Sequence, residues 1–354
     1  MSRQSELAQL GRVFDNSALS NRNLIINGAM QVAQRGTSVS NAIGAAYNTT
    51  DRFQDIFGLL GTWTSENSSD APDGFSNSHK LTCTTAAPSP AAGTFAIMSH
   101  MIEAQNLQRL AYGTSSAKTM TLSLWVKSNK TGGASVDMYQ PDNSNRLWSA
   151  AYTINSANTW EYKTFVVPAD TSGLINNDNG QGLGVSFWLN SGSDFTGGSH
   201  QTTWAAYTAV NRNVNNLGVG GAVNDYFAIT GVQLEVGDTA TPFEHRSYGQ
   251  ELALCQRYCQ ISLPASGKGN SSGTLGAWLV PFSPRMRSLP SVTLRSLTYH
   301  VDEYWAAARV ITGISYLYGY GETGNGVGVV AAVPCNAFAQ LGLEAGAFMF
   351  DAEL

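Results

Sequence analysis

The stretch Tyr226–Gln260, YFAITGVQLEVGDTATPFEHRSYGQELALCQRYCQ, constrains the fold more than any other part of the chain. Val232, Leu234 and Val236 alternate with Gly231, Gln233 and Glu235, the period-two pattern of a strand with one face in a core. Gly237-Asp238 ends that strand. Pro242 fixes its own φ and keeps Thr241 out of the α region, so Thr239–Phe243 crosses extended. Ser247 can then cap a helix, with Gln250 reaching back to the cap N–H. Tyr248, Leu252, Cys255 and Cys259 share one face of that helix. The stretch therefore reads as a last core strand, a corner plugged by Phe243 and a linking helix over Ser247–Gln260 that carries the chain into a second domain.

Upstream, the pattern predicts a run of short strands. Asn23–Ser38 reads as a first strand with a bend or bulge at Asn27-Gly28, followed by an apolar block at Asp51–Leu60 and a polar loop at Ser65–Ser78. Strands follow at His79–Thr84, Thr94–Glu103, Thr119–Ser128, Val136–Tyr139, Trp148–Ile154, Trp160–Val167 and Gly182–Leu189. In Thr119–Ser128, Met120, Leu122, Leu124 and Val126 face one way and Thr121, Ser123, Trp125 and Lys127 the other. Val210–Val223 reads as loop. About ten strands without a long helical pattern predict an all-β jelly-roll sandwich. Beyond the helix, strands are expected near Thr274–Phe282, Ser291–Leu297, Ala306–Tyr318, Val327–Val333 and Ala345–Asp351, forming a smaller β domain. Ahead of everything, Leu7, Leu10 and Phe14 suggest a short N-terminal helix, too short to be stable without a partner. The expected division is residues 1–22, residues 23–246 and residues 247–354.

GVQLEVGDTATPFEHRSYGQELALCQRYCQ, taken with NLIINGAMQVAQRGTS at Asn23–Ser38, resembles phage tail-fibre and virion-appendage proteins whose body is a carbohydrate-binding-module-like jelly roll. The two blocks cover about 46 residues, and the sequence departs from the pattern at Cys259, where an aromatic is expected after Tyr258. The resemblance implies a homotrimer on the virion whose distal part meets a host surface glycan or another receptor. Residues 1–22 would attach to other virion proteins. A capsid decoration or head-fibre protein is the alternative within that class, and a glycan depolymerase is the alternative outside it. Such jelly rolls often hold a structural calcium between the first and last strands, for which Asn27, Asp225 and Glu235 are the candidate ligands. No other cofactor is expected.

Composition fits a virion surface. Charged residues make up 13% of the chain, against ~25% in an average soluble domain. A net charge of −5 with no basic run argues against nucleic acid and anionic lipid as partners. No apolar run approaches the ~18 residues of a membrane span, and the N-terminus lacks the apolar core of a secretion signal, so folding in a cytoplasm is expected. Cys83, Cys255, Cys259 and Cys335 read as buried thiols.

Motifs for catalysis are missing: there is no GxSxG, HExxH, phosphate loop or CxxC. GYGETGNGVGVV at Gly319–Val330 reads as a hairpin. The pairs Asp55 with Glu66 and Asp302 with Glu303 could serve glycoside hydrolysis only if a fold brought them across a cleft. Recognition through aromatic rings is therefore the expected chemistry, since flat rings hold the C–H faces of sugars while amides and carboxylates take the hydroxyls. The candidates are Tyr304, Trp305, Tyr318 and Tyr320 as ring platforms, with Asp302 and Asn325 as hydroxyl partners. A buried Tyr316–Tyr318–Tyr320 ladder between subunits is the alternative, and Trp63, Trp148 and Trp204 are next in line.

Overall fold

The computed structural model describes residues 21–143, 145–269, 275–295, 298–302, 308–310, 313–319, 326–332, 340–343 and 346–354. Two compact units divide the chain: Met1–Ser247 together with Leu354, and Tyr248–Glu353.

The first unit contains β1 (Ser38–Ala42), β2 (Gly44–Ala46), β3 (Phe53–Gly58), β4 (Thr62–Ser68), β5 (Ser78–Thr85) and β6 (Phe95–Glu103). It continues with β7 (Met120–Ser128), β8 (Gly132–Gln140), β9 (Arg146–Ile154), β10 (Glu161–Val167), β11 (Gln181–Ser191), β12 (Ala205–Ala206) and β13 (Tyr226–Val236). These form the expected two-sheet sandwich. One sheet has the order β1-β4-β5-β13-β7-β10 and the other β12-β9-β8-β11-β6-β3-β2. Leu122, Leu124, Val126, Phe227 and Ile229 of the first sheet share one core with Met138, Leu183, Val185 and Phe187 of the second. Burial of this apolar area is the dominant favourable term in the fold.

β13 is central because it pairs with β5 on one side and β7 on the other. A bulge lies between Thr230 and Gln233, where Gly231 has φ +59°. The extra residue shifts the side-chain parity, so Phe227 and Ile229 before it and Val232 and Leu234 after it all face the core.

Asn23–Thr37 is not the expected strand but an irregular segment. Its bonding partners are backbone groups of Val232 and Leu234 on β13, beyond Ile229 where the pairing with β5 ends. Leu24 N–H donates to the Leu234 carbonyl at 2.8 Å and Val232 N–H to the Gly28 carbonyl at 2.9 Å. The Asn23 side chain donates to the Val232 carbonyl and accepts from Leu234 N–H at 3.0 Å. A Cβ on Gly28 would stand 2.1 Å from the Val232 oxygen, so only glycine allows this approach. The bend expected at Asn27-Gly28 is there, with Asn27 at φ +60°. The two blocks that carry the resemblance thus meet in space.

Residues 242–246 complete the contact. Glu244 accepts N–H bonds from Arg22 and Asn23 at 3.2 and 2.9 Å, and Arg246 donates to the carbonyls of Asn23 and Ile25. Burial pushes the Glu244 carboxyl up, but those N–H groups and the Arg246 charge outweigh it and hold its pKa below the ordinary value. Phe243 packs on the sandwich, its ring 5.0 Å from that of Phe75. Ser65–Ser68 belongs to β4, so the polar loop is shorter than expected.

The second unit starts with α1 (Tyr248–Gln256), five residues shorter than the expected Ser247–Gln260 helix. Cys259 leaves the helix because it pairs with Asp351 in a three-stranded sheet of β14 (Cys259–Ile261), β17 (Ser291–Leu294) and β23 (Phe348–Asp351). Cys255 and Cys259 are buried thiols, as is Cys83, whereas Tyr248 is exposed despite lying on the expected buried face. Cys335 lies outside the described residues. A seven-stranded sheet holds β15 (Ala265–Gly269), β16 (Leu275–Pro281), β18 (Thr298–Asp302), β19 (Ala308–Val310), β20 (Gly313–Gly319), β21 (Gly326–Ala332) and β22 (Gln340–Leu343). Its order is β19-β18-β22-β15-β16-β21-β20. β20 and β21 form the hairpin expected from the glycine-rich stretch.

The outermost strands, β19 and β20, are consecutive, with Val310 and Gly313 separated by two residues. That connection reaches ~11 Å, whereas six spacings of a flat sheet would span ~29 Å. The sheet must therefore curl back on its own edge.

Candidate functional site

A strand facing a core on one side leaves its other face free to carry function, and β11 does so in a compact way. Leu183, Val185, Phe187 and Leu189 point into the sandwich. Gly184, Ser186 and Trp188 therefore point outward, two small residues followed by a large one. The register sets Gly184 between Tyr139 and Met101, and Ser186 between Asp137 and Ser99, with Gln54 beyond Ser99.

Trp188 faces outward yet is fully buried, because residues 193–216 fold over it. Its indole N–H donates to Asp137 Oδ2 at 2.7 Å, and Phe195 packs against the ring at 5.3 Å. Arg212 donates to the same carboxylate at 2.7 Å from Nε and 3.3 Å from a terminal nitrogen. Its guanidinium lies 4.8 Å over the Trp188 ring and 5.6 Å over Tyr207. Burial pulls the Arg212 pKa down, but the Asp137 carboxylate more than reverses this and holds it above the ordinary value. Tyr207 meets Tyr139 edge to face at 5.5 Å, and Tyr139 donates to Asn145 Oδ1 at 2.6 Å. Burial, and then Tyr207, raise the Tyr139 pKa, so it stays a neutral donor at physiological pH. The result is a rigid wall with Tyr207, 38% exposed, at its outer end.

Beside the wall lies a low floor. Ser99 and Ser186 face each other across the β6–β11 ladder and are each only 4% exposed, yet neither hydroxyl has a hydrogen-bond partner among the described residues. A Cβ on Gly184 would lie 2.8 Å from Gln181 Nε2, so the Gln181 amide stands over that glycine. It too makes no hydrogen bond among the described residues. Half-buried Met101 and Gln54 bound the far side. Two hydroxyls, an amide and ring edges on a rigid floor can hold a small polyhydroxylated ligand, since they offer hydrogen-bonding groups that solvent still reaches and no protein group occupies.

The residues expected to form the site lie elsewhere. Asp302 is on β18 and Tyr318 on β20. Tyr304, Trp305, Tyr320 and Asn325 lie outside the described residues. Trp63 stacks on Phe57 at 5.4 Å in the core, and Trp148 and Trp204 are also buried, so none offers a free ring. Asp55 is buried against His79 at 2.7 Å, while Glu66 faces solvent on the other sheet, paired with Lys80. They share no cleft. Glu303 lies outside the described residues.

The calcium candidates do not converge either. Asp225 and Glu235 sit at opposite ends of β13, ~33 Å apart. Asp225 accepts from Gly220 and Ala222 N–H, Glu235 from Thr241, and Asn27 bonds to Val32 and Asp51. The one trace of the slot in the sequence is the set of alternate positions Gly184, Ser186 and Trp188, which share the face opposite Val185 and Phe187.

No protein-family model matches the chain, and no curated protein matches it. Among solved structures, the enzymatically active domain of tailspike protein 4 from bacteriophage CBA120 is similar over 61% of this chain and 21% of its own, at 14% identity and a TM-score of 0.32. The family 11 carbohydrate-binding module of a Clostridium thermocellum cellulosomal cellulase is similar over 58% of this chain and 99% of its own, at 12% identity and a TM-score of 0.29. A TmCBM61 structure in complex with β-1,4-galactotriose is similar over 61% of this chain and 100% of its own, at 10% identity and a TM-score of 0.28. Neither ligand nor activity passes from them to this chain.

Proposed function

We propose that this protein is a non-catalytic, glycan-binding virion component, a trimeric tail fibre that holds a host surface saccharide in the slot on the second sheet. The observation that carries this is the pair of unpartnered hydroxyls, Ser99 and Ser186, on a floor set against the Tyr139–Tyr207 wall. Sugar hydroxyls would complete the hydrogen bonding that the protein leaves open, and the Tyr207 ring would take a C–H face. Virion placement and trimerisation rest on the resemblance of the two blocks, which the fold brings into contact through β13 and Asn23–Thr37.

The test has three parts. A glycan array probed with the full chain should show saccharide binding that Tyr207→Ala weakens. Light scattering should give three times the chain mass. Host envelope polysaccharide incubated with the protein should release no sugar. Sustained release would make the protein a depolymerase, and a monomer at micromolar concentration would remove the fibre.

A further inference from the structure

The opposite outer face of the sandwich carries rings of its own. On the first sheet, Thr121, Ser123, Trp125 and Lys127 of β7 face outward, and the register sets Trp125 between Tyr162 of β10 and Thr230 of β13. Tyr162 is 45% exposed and its ring meets Trp125 at 5.4 Å. A Cβ on Gly231 would lie 2.7 Å from Phe75 and 3.0 Å from Trp125, so the bulge glycine lets both rings lie down on the sheet. Phe75 in turn meets Phe243 at 5.0 Å. Half-buried or exposed rings thus run without a break across β10, β7 and β13.

Two residues further along these strands, ~7 Å away, lies a polar row. Lys80 and Lys127 flank Ala228 in the register. Lys127 donates to both Asp70 oxygens at 3.0 and 2.8 Å, and the Trp160 indole N–H donates to the same carboxylate at 3.2 Å. Lys80 lies 5.0 Å over the Tyr226 ring and 3.9 Å from Glu66. The Asp70 side chain remains 43% exposed, leaving room for further donors. Two lysines against two carboxylates leave the row balanced in charge.

We infer that this face is a second saccharide-binding platform, distinct from the slot, and that it takes a neutral oligosaccharide chain lying across the strands. The ring row offers stacking surface to successive sugar units. The polar row supplies donors and acceptors along one flank, and its charge balance favours hydroxyls over an ionic ligand. A track that crosses three strands matches an extended chain better than a single sugar. It stands apart from the slot, since the two lie on opposite outer faces of the sandwich.

The experiment is affinity electrophoresis of the full chain through gels containing mixed-linkage β-glucan, galactomannan or dextran. Wild type should be retarded by at least one of these. Tyr162→Ala and Trp160→Ala should weaken that retardation by roughly tenfold each, and Tyr162→Phe should keep it. Ser186→Val, in the slot, should leave this retardation unchanged, so loss through Ser186→Val alone would assign the polysaccharide to the slot and overturn the platform. Retardation lost in the ring variants but not in Ser186→Val supports the platform even if the slot binds nothing. Lack of retardation of wild type in all three gels, or unchanged retardation of both ring variants, overturns it. So does a change in self-association of Tyr162→Ala with binding intact, which would make the ring row an interface between copies.

Discussion

The outer faces of the two sheets are built from the same residue types and treat them in opposite ways. On the second sheet, Trp188 and Arg212 are sunk beneath residues 193–216 and fixed by Asp137, so the aromatic group serves as scaffolding and small Ser99, Gly184 and Ser186 are left as the floor. On the first sheet, Tyr162 is exposed and Trp125 half-buried beside it, with Asp70 and Lys127 nearby. An outward ring is therefore not by itself a binding ring. What distinguishes the two is whether a loop contributes a charge that must be paired beneath cover.

The comparison breaks most visibly at Asp137. Asp137→Ala should leave the Arg212 charge buried without its partner and cost about 3–5 kcal/mol in chemical denaturation. Binding through the slot should go with it, whereas the first-sheet platform should survive wherever the variant is folded. Loss of less than 1 kcal/mol would mean that Arg212 swings out and the wall is not rigid.

Gly28→Ala tests the support common to both faces. The new methyl would strike the Val232 carbonyl, and a cost of roughly 1–3 kcal/mol is expected, read as a lowered Tm with both binding activities retained. An unchanged Tm would show that Asn23–Thr37 is not held tightly on β13.

Proton sensitivity should also be common to both faces, because it resides in the interior. Burial, and then the Arg52 charge, lower the His100 pKa well below its ordinary value. The folded state thus favours the neutral ring, and the stability this gives is complete above the unfolded pKa of ~6.5 and is lost as pH falls below it. Burial shifts His200 the same way. Between pH 6.5 and 5, stability should fall by at most ~1.4 kcal/mol per pH unit for fully buried His100, and His100→Phe should flatten that slope. An equally steep slope in the variant would assign it to other groups.

The smallest expected effect on stability is at Tyr162. Its replacement by alanine should change stability by no more than ~0.5 kcal/mol, since the ring is exposed on an edge strand. A larger loss would mean that the ring supports the sheet, as Trp188 does.

Much of the sandwich was legible because alternation is a local signal. Thr119–Ser128 and Tyr226–Val236 became β7 and β13 with the expected inward residues. Asn23–Ser38 was misread because its bonding partners, Val232 and Leu234, are some 200 residues away and are open only because β5 stops pairing at Ile229. β15, β18 and β22 escaped notice because ASGKG, TYHVD and QLGL hold few apolar residues to alternate. The linking helix was read too long because the pull of β23 on Cys259 has no helical signature. The slot was not read from the sequence: Gly182–Leu189 registered only as a strand, and the cover that makes Trp188 a wall comes from the loop at 193–216, whose path no periodicity records.

The central claim is that the slot on the second sheet holds a saccharide through Ser99 and Ser186. Its most direct test is titration calorimetry of the full chain with the strongest glycan found on the array, comparing wild type with the Ser99→Val, Ser186→Val double variant. Removing two hydroxyls that bond the ligand should weaken binding by about 1–3 kcal/mol, roughly 5- to 150-fold, while Tm stays at or above that of wild type because neither hydroxyl is bonded within the protein. An unchanged affinity in the folded double variant would contradict the account.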